Sequence, residues 1–166
     1  CITVPAYTTN TERDHVHILD NSGAKAVFVS TARLAQVLLP AVMNTGLANL
    51  VVAMEPLREP QGDGIAFRGW SQMLEGDAQA ARAAVEARIA GIGRADTACI
   101  IYTSGTGGAP RGVMQHHGAI LRNIDGAARL IEEDFGWDEE IFLSFLPLSH
   151  AYEHTGGQFL PIGMGE

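Results

Sequence analysis

Apolar residues in this chain alternate between short continuous runs and stretches in which they recur every three or four positions. In TERDHVHILDNSG, Val16, Ile18 and Leu19 lie at helical spacing behind Thr11, a capping residue type, and Gly23 supplies a stop signal. KAVFVS predicts a short buried strand. TARLAQVLLPAVMN predicts a second amphipathic helix, interrupted at Pro40, and LANLVVAM a second buried strand. Residues 55–69, rich in Pro and Gly, predict a surface connection, and the stretch 77–91 predicts a helix with Ala81, Val85 and Ile89 on one face. The strand TACIIYT follows, then a glycine-rich loop and a helix over GAILRNIDGAARLIEEDFG. EIFLSFLPLSH predicts a final strand that delivers Ser149 and His150, and AYEHTGGQFL the start of another helix.

Helices alternating with short apolar runs argue for βαβ units. The expected fold is therefore α/β, layered, with a largely parallel sheet flanked by helices. At 166 residues, 46% apolar and 18% charged, the chain is long enough for one sizeable core, and a single unit over 1–166 is expected. It shows no internal repeat. Because the chain begins at Cys1 and runs at once into the strand-like ITVPAY, it is expected to be an internal piece of a longer protein.

Charge narrows the partners. Eleven basic residues against nineteen acidic ones, a net charge of −8, and the lack of any Lys/Arg cluster argue against nucleic acid. Cys1 and Cys99 show no ligand spacing, which fits a reduced compartment better than a disulfide scaffold. No apolar run of membrane-spanning length occurs. A cytoplasmic location, with peripheral membrane contact left open, is the expectation.

The sharpest chemistry lies in YTSGTGGAPRGVMQHHG, residues 102–118, with five glycines in seventeen positions. Glycine-rich backbone between a strand and a helix can aim N–H groups into a concavity, and a helix N-terminus there favours an anion. Thr103, Ser104 and Thr106 add hydroxyls, Gly105, Gly107, Gly108 and Gly112 keep the backbone bare, and Arg111 adds a guanidinium able to grip phosphate in bidentate fashion. An ordinary strand-to-helix turn would not concentrate hydroxyls, glycines and a cation together. A Walker loop is excluded, because Val113 and Met114 stand where Lys and Ser/Thr are required. The dinucleotide fingerprint fails at Pro110, where its third glycine should be.

The string YTSGTGGAPRGV closely resembles the phosphate-loop signature of the adenylate-forming superfamily, Tyr-Thr-Ser-Gly-Thr-Thr-Gly-x-Pro-Lys-Gly-Val. It departs at two positions, with Gly107 for the second Thr and Arg111 for Lys. VPAYTTNTERDHVHILDNSGAKAVFVS is similar to the family's early βαβ segment. FLPLSHAYEHTGG is similar to the segment after the loop, in wording nearest the long-chain fatty acyl-CoA synthetases. The resemblance implies part of a large N-terminal AMP-binding domain, with the C-terminal domain outside residues 1–166. It also implies a two-step ligase: ATP and a carboxylic acid give an acyl-adenylate, and coenzyme A then takes the acyl group. Thr103, Ser104, Gly105, Thr106, Gly107, Gly108, Arg111 and Gly112 would face the ATP phosphates, with Mg²⁺ held mostly by residues elsewhere. Arg111 and His150 would act in catalysis, His150 bordering the acyl-carboxylate pocket, the alternative for that position being a neutral core histidine that caps a strand.

Two other readings compete. HAYEH, His150 to His154, matches the inverted zinc-peptidase pattern, with Glu153 as base, but it leaves the glycine loop unexplained. A nucleotide-binding module without catalysis is the third class. The pairs His15/His17 and His116/His117 point apart on a helix and read as solvated or capping residues. Glu132, Glu133, Asp134, Asp138, Glu139 and Glu140 read as a solvated helix end.

Overall fold

A computed structural model describes residues 1–57, 64–103, 109–136 and 141–165. The chain divides into two compact units, Thr8–Gly91 and Cys1–Tyr7 with Ile92–Glu166. Length leads to an expectation of one core, whereas the described residues hold two, one in each unit.

In Thr8–Gly91, the helix α1 (Glu12–Ser22) opens as expected behind Thr11. The Asp14 Oδ2 accepts from the Thr11 backbone N–H at 2.9 Å and the Thr11 hydroxyl accepts from the Asp14 N–H, a reciprocal capping box. The helix stops at Gly23, whose φ of 66° is one that glycine adopts without a Cβ penalty. Strand β1 (Ala26–Val29) leads into α2 (Ala32–Thr45), which runs unbroken through Pro40. Pro40 removes only its own N–H from the ladder, and burial of Ala35, Ala41 and Val42 holds the helix on either side of it. The start of α2 is capped twice: Thr31 Oγ1 accepts from Leu34 N–H, and Glu55 Oε2 accepts from Ala32 N–H at 2.9 Å.

Strands β1, β2 (Leu50–Ala53) and β3 (Ala66–Gly69) form a parallel sheet in that order. Val27, Val51 and Phe67 align across it, as do Phe28, Val52 and Arg68. The face bearing Val29, Val51 and Ala53 joins Leu19, Ala35, Ala41 and Val42 in the core. Two expectations change here. The strand β1 is only half-buried, with Phe28 exposed and its ring edge-on to Trp70 at 6.4 Å, because side chains alternate faces and β1 lies at the sheet edge. The stretch 55–69 is not connection alone: its end supplies β3, and α3 (Trp70–Leu74) follows. Four residues carrying one aromatic give no periodic signal, and pairing with β2 decides their state. The helix α4 (Ala78–Ala90) forms on an Asp77 cap, yet Val85 and Ile89 stay exposed and none of its residues is buried.

In the other unit, β4 (Thr97–Thr103) is central. Strand β5 (Arg111–His116) pairs with it antiparallel, and on the other side Thr3 forms a parallel bridge to Cys99. The bridge is all that ITVPAY contributes of strand structure: Ile100 N–H donates to Thr3 O at 2.9 Å. The helix α5 (His117–Phe135) and a helical segment made of a short π-helix (Glu153–Phe159) and α6 (Leu160–Met164) complete the unit. Cys99, Ile101 and Ile120 form its core with Ile124, Ala151 and Phe159 against them. The expected strand over EIFLSFLPLSH is absent among the described residues: 141–150 carries no strand, and Ile141 and Phe145 are exposed. Apolar alternation prepares a segment for a sheet, but a strand exists only where another backbone supplies its hydrogen bonds.

Candidate phosphate-binding loop

The glycine loop joins two strands, which corrects the strand-to-helix setting expected from the sequence. β4 ends at Thr103 and β5 begins at Arg111, and these two residues are direct cross-strand partners, so the intervening segment is pinned at both ends. Ser104, Gly105, Thr106, Gly107 and Gly108 lie outside the described residues. The helix α5 starts at His117, at the opposite end of the hairpin, where His116 pairs with Thr97. Its N-terminal N–H groups are taken by protein acceptors: His117 by Asp96 O, Gly118 by Arg94 O at 2.7 Å and Ala119 by His116 Nδ1 at 3.0 Å. The α5 dipole therefore adds nothing at the loop, since such end effects fade within about a turn. The six residues RGVMQH became a strand because β4 offers a partner edge, which a helix-start reading of the histidine pair does not reveal.

What the described ends bring together is compact. Thr103 and Arg111 are both exposed at the mouth of the loop, a hydroxyl beside a guanidinium. No carboxylate pairs with Arg111 among the described residues. An exposed guanidinium with no carboxylate partner among the described residues suits an anion with several oxygens. No group of three carboxylate, histidine or cysteine side chains that could hold a metal occurs among the described residues. No chemical step is derived through a magnesium ion.

Gly112 sits inside the hairpin rather than at its mouth. It stands opposite Tyr102, and a Cβ there would lie 2.9 Å from Ile100 Cγ2 and 3.0 Å from Tyr102 Cζ. Its missing side chain makes room for the buried Tyr102 ring, a packing reason that the motif alone does not disclose.

His150 does not end a strand. It is exposed and heads the final helical segment: its N–H donates to Pro147 O at 2.8 Å, its Nδ1 accepts from Tyr152 N–H at 3.2 Å, and its carbonyl accepts from His154 N–H. It makes no hydrogen bond to Thr103 or Arg111 among the described residues. His154 differs in every respect. It is buried, its Nδ1 lies 3.1 Å from Leu148 O and its ring meets Phe159 edge-on at 4.8 Å. The carbonyl contact assigns the proton to Nδ1. The inverted-zincin reading gains no ligand cluster from this arrangement. Sequence reasoning treated Glu153 only within that pattern, yet it is 1% exposed and folds over Gly157 in the π-helix. The Gly156–Gly157 pair was the available signal for this tight approach.

Across residues 1–166 the chain matches the AMP-binding enzyme family. The chain belongs to that family. Among curated relatives of this AMP-binding chain is the long-chain-fatty-acid–CoA ligase FadD15 of Mycobacterium tuberculosis, 30% identical over 150 residues, which cover 90% of this chain and 24% of that protein. A shorter match is to the peroxisomal long chain acyl-CoA synthetase 7 of Arabidopsis thaliana, 42% identical over 60 residues, which cover 36% of this chain and 8% of that protein. The AMP-binding chain thus spans about a quarter or less of the relatives it matches. Its fold is similar to part of a luciferase-like enzyme from Zophobas morio, with a TM-score of 0.66 and 17% identity, covering 95% of this chain and 33% of that one. A benzoate CoA ligase from Burkholderia xenovorans gives a TM-score of 0.64 at 20% identity, covering 98% of this chain and 28% of that one. No helix among the described residues is long and apolar enough to cross a membrane.

Proposed function

We propose that this AMP-binding chain is part of the N-terminal domain of an ATP-dependent acid–CoA ligase acting on a fatty acid. The observation that carries the reading is the pinned glycine loop, with Thr103 and Arg111 at its ends, in a chain that matches acyl-CoA synthetases on both sides of it. In the first step a carboxylate oxygen attacks the α-phosphorus of ATP, the bond to the bridging oxygen of the β-phosphate breaks, and pyrophosphate leaves. In the second the sulfur of coenzyme A attacks the acyl carbon and AMP leaves.

The physical demand of the first step is to bring two anions together. Arg111, Thr103 and the loop backbone through Ser104, Gly105, Thr106, Gly107 and Gly108 meet it by neutralising and orienting the β- and γ-phosphates. Mg²⁺, when bound, would supply further charge neutralisation, held mostly by residues outside this chain. His150 stands as a polar contact at the acyl-carboxylate end. The two compact units are parts of one N-terminal domain, and the enzyme works in the cytoplasm.

The test is ATP–pyrophosphate exchange by the intact parent protein with a long-chain fatty acid, followed by thioester formation with coenzyme A. Acid-dependent exchange is the expected result. ATP binding without exchange or thioester would replace the ligase reading with that of a binding module.

A further inference from the structure

A turn closes just before the final helical segment, where the His150 N–H donates to Pro147 O at 2.8 Å. Within it Ser149 is buried and His150 is exposed. One buried side chain, His154, is tied to both neighbours of Ser149. Its backbone N–H donates to His150 O at 2.9 Å, and its ring Nδ1–H donates to Leu148 O at 3.1 Å. The ring is itself held edge-on to Phe159 at 4.8 Å.

The two imidazoles carry their protons on opposite nitrogens. His150 Nδ1 accepts from the Tyr152 N–H at 3.2 Å, so its proton sits on Nε2, and the exposed ring offers a donor suited to a carboxylate oxygen. In His154 the proton is on Nδ1, and the buried Nε2 finds no partner among the described residues. Burying a polar nitrogen unpaired costs stability, and a phenyl ring would fill the same place against Phe159 without that cost. What only the imidazole adds there is the bond from Nδ1–H to the Leu148 carbonyl. Packing alone does not account for a histidine at this position.

We propose that His154 is a positioning residue for acid activation: by holding the Leu148 carbonyl it fixes the turn that carries His150, and so keeps the His150 Nε2–H in place for the carboxylate of the acid. The proposal rests on the ligase reading and on His150 as the polar contact at the acyl-carboxylate end. His154 acts only through His150. A hydrogen bond to a carboxylate is directional, so a donor carried on a loosened turn loses alignment with the reacting acid.

The experiment is acid-dependent ATP–pyrophosphate exchange by the intact parent protein with palmitate, in four variants. His154→Phe keeps a ring against Phe159 and removes the donor, His154→Asn returns an amide N–H near the Nδ1 position, His150→Ala removes the group being positioned, and the fourth combines His150→Ala with His154→Phe. His154→Phe should lower kcat/KM for palmitate by roughly tenfold or more while leaving KM for ATP within about twofold, and His154→Asn should restore most of the loss. In the His150→Ala background, itself impaired, His154→Phe should cost no more than about twofold further, because the group it positions is gone. A merely structural role would move KM for both substrates and cost as much in either background. Thermal unfolding checks each variant. If His154→Phe does not fold, His154→Asn against His154→Gln makes the same comparison, since the Gln amide falls nearer Nε2: Asn should be active and Gln impaired. Unchanged palmitate kinetics in His154→Phe, equal losses in both backgrounds, or Asn and Gln alike overturns the proposal and leaves the ligase reading intact. Normal palmitate kinetics in His150→Ala removes the contact and the proposal with it, whereas no exchange by the unaltered parent overturns the ligase reading itself.

Discussion

Gly112 and Tyr102 face each other across β4 and β5, and the absence of a side chain on the first is what lets the ring of the second lie buried. A methyl group at Gly112 would sit 3.0 Å from Tyr102 Cζ while also pressing on Ile100 at 2.9 Å, so it meets resistance from two side chains at once. Gly112→Ala should lower the stability of the parent protein by roughly 1 to 3 kcal/mol, the usual range for overpacking. Chemical denaturation measures it. Ile100→Ala in the Gly112→Ala background should recover part of the loss, and full stability of Gly112→Ala alone would show that the hairpin yields freely.

Arg111 is expected to act through its charge. In the parent protein Arg111→Ala should reduce ATP–pyrophosphate exchange by roughly 10- to 1,000-fold, in line with the loss of one preorganised contact to a charged transition state. Arg111→Lys should restore most of it. Equal damage from both substitutions would mean that the planar fork, not the charge, is required.

Residues 1–166 alone should give no exchange. The match spans 24% of a relative such as FadD15, and catalysis of this kind depends on assembling groups around two anions, which a quarter of the machinery does not provide. Exchange above blank with the isolated chain contradicts this.

The two adjacent glycines of the π-helix should respond in opposite ways. A Cβ on Gly156 would make ordinary contact, 3.8 Å from the Tyr152 ring, so Gly156→Ala should be neutral or stabilising by up to about 1 kcal/mol from helix propensity. A Cβ on Gly157 would collide with Glu153 Oε1 and lie 2.6 Å from its Cδ. Because Glu153 is 1% exposed, its carboxylate can move only by disturbing the packing around it. Gly157→Ala should therefore destabilise, and thermal unfolding of the two variants side by side measures the contrast.

Burial holds His15 below its ordinary value of 6.5, against a smaller opposing pull from the neighbouring Asp14 carboxylate. The unfolded chain takes up the proton near pH 6.5 while the folded chain resists it, so stability falls as the pH drops through that value and levels off once folded His15 is also protonated. Above that window both states are neutral and His15 contributes no slope. Denaturation midpoints between pH 8 and pH 5 should decline more steeply in the native protein than in His15→Gln. Parallel curves would remove His15 from the account.

Some of this protein was legible in the chain alone. Thr11 and Gly23 bound α1 because caps act through backbone groups within a few residues, and the glycine loop was visible because hydroxyls, glycines and a cation are contiguous. The two parallel neighbours β1 and β2 were likewise signalled by unbroken apolar runs on either side of a helix.

Tertiary structure decided what depends on a partner distant in sequence. RGVMQH is a strand because β4 lies beside it, AFRG is a strand because β2 does, and Phe145 is exposed because no described strand pairs with its segment. Pro40 stays helical because Ala41 and Val42 are buried in the core, and the start of α5 packs on the Arg94 backbone because Gly118 admits it at close range. Local patterns report a residue's own preferences over a few positions. Pairing and burial are properties of two segments at once, and only the folded chain holds both.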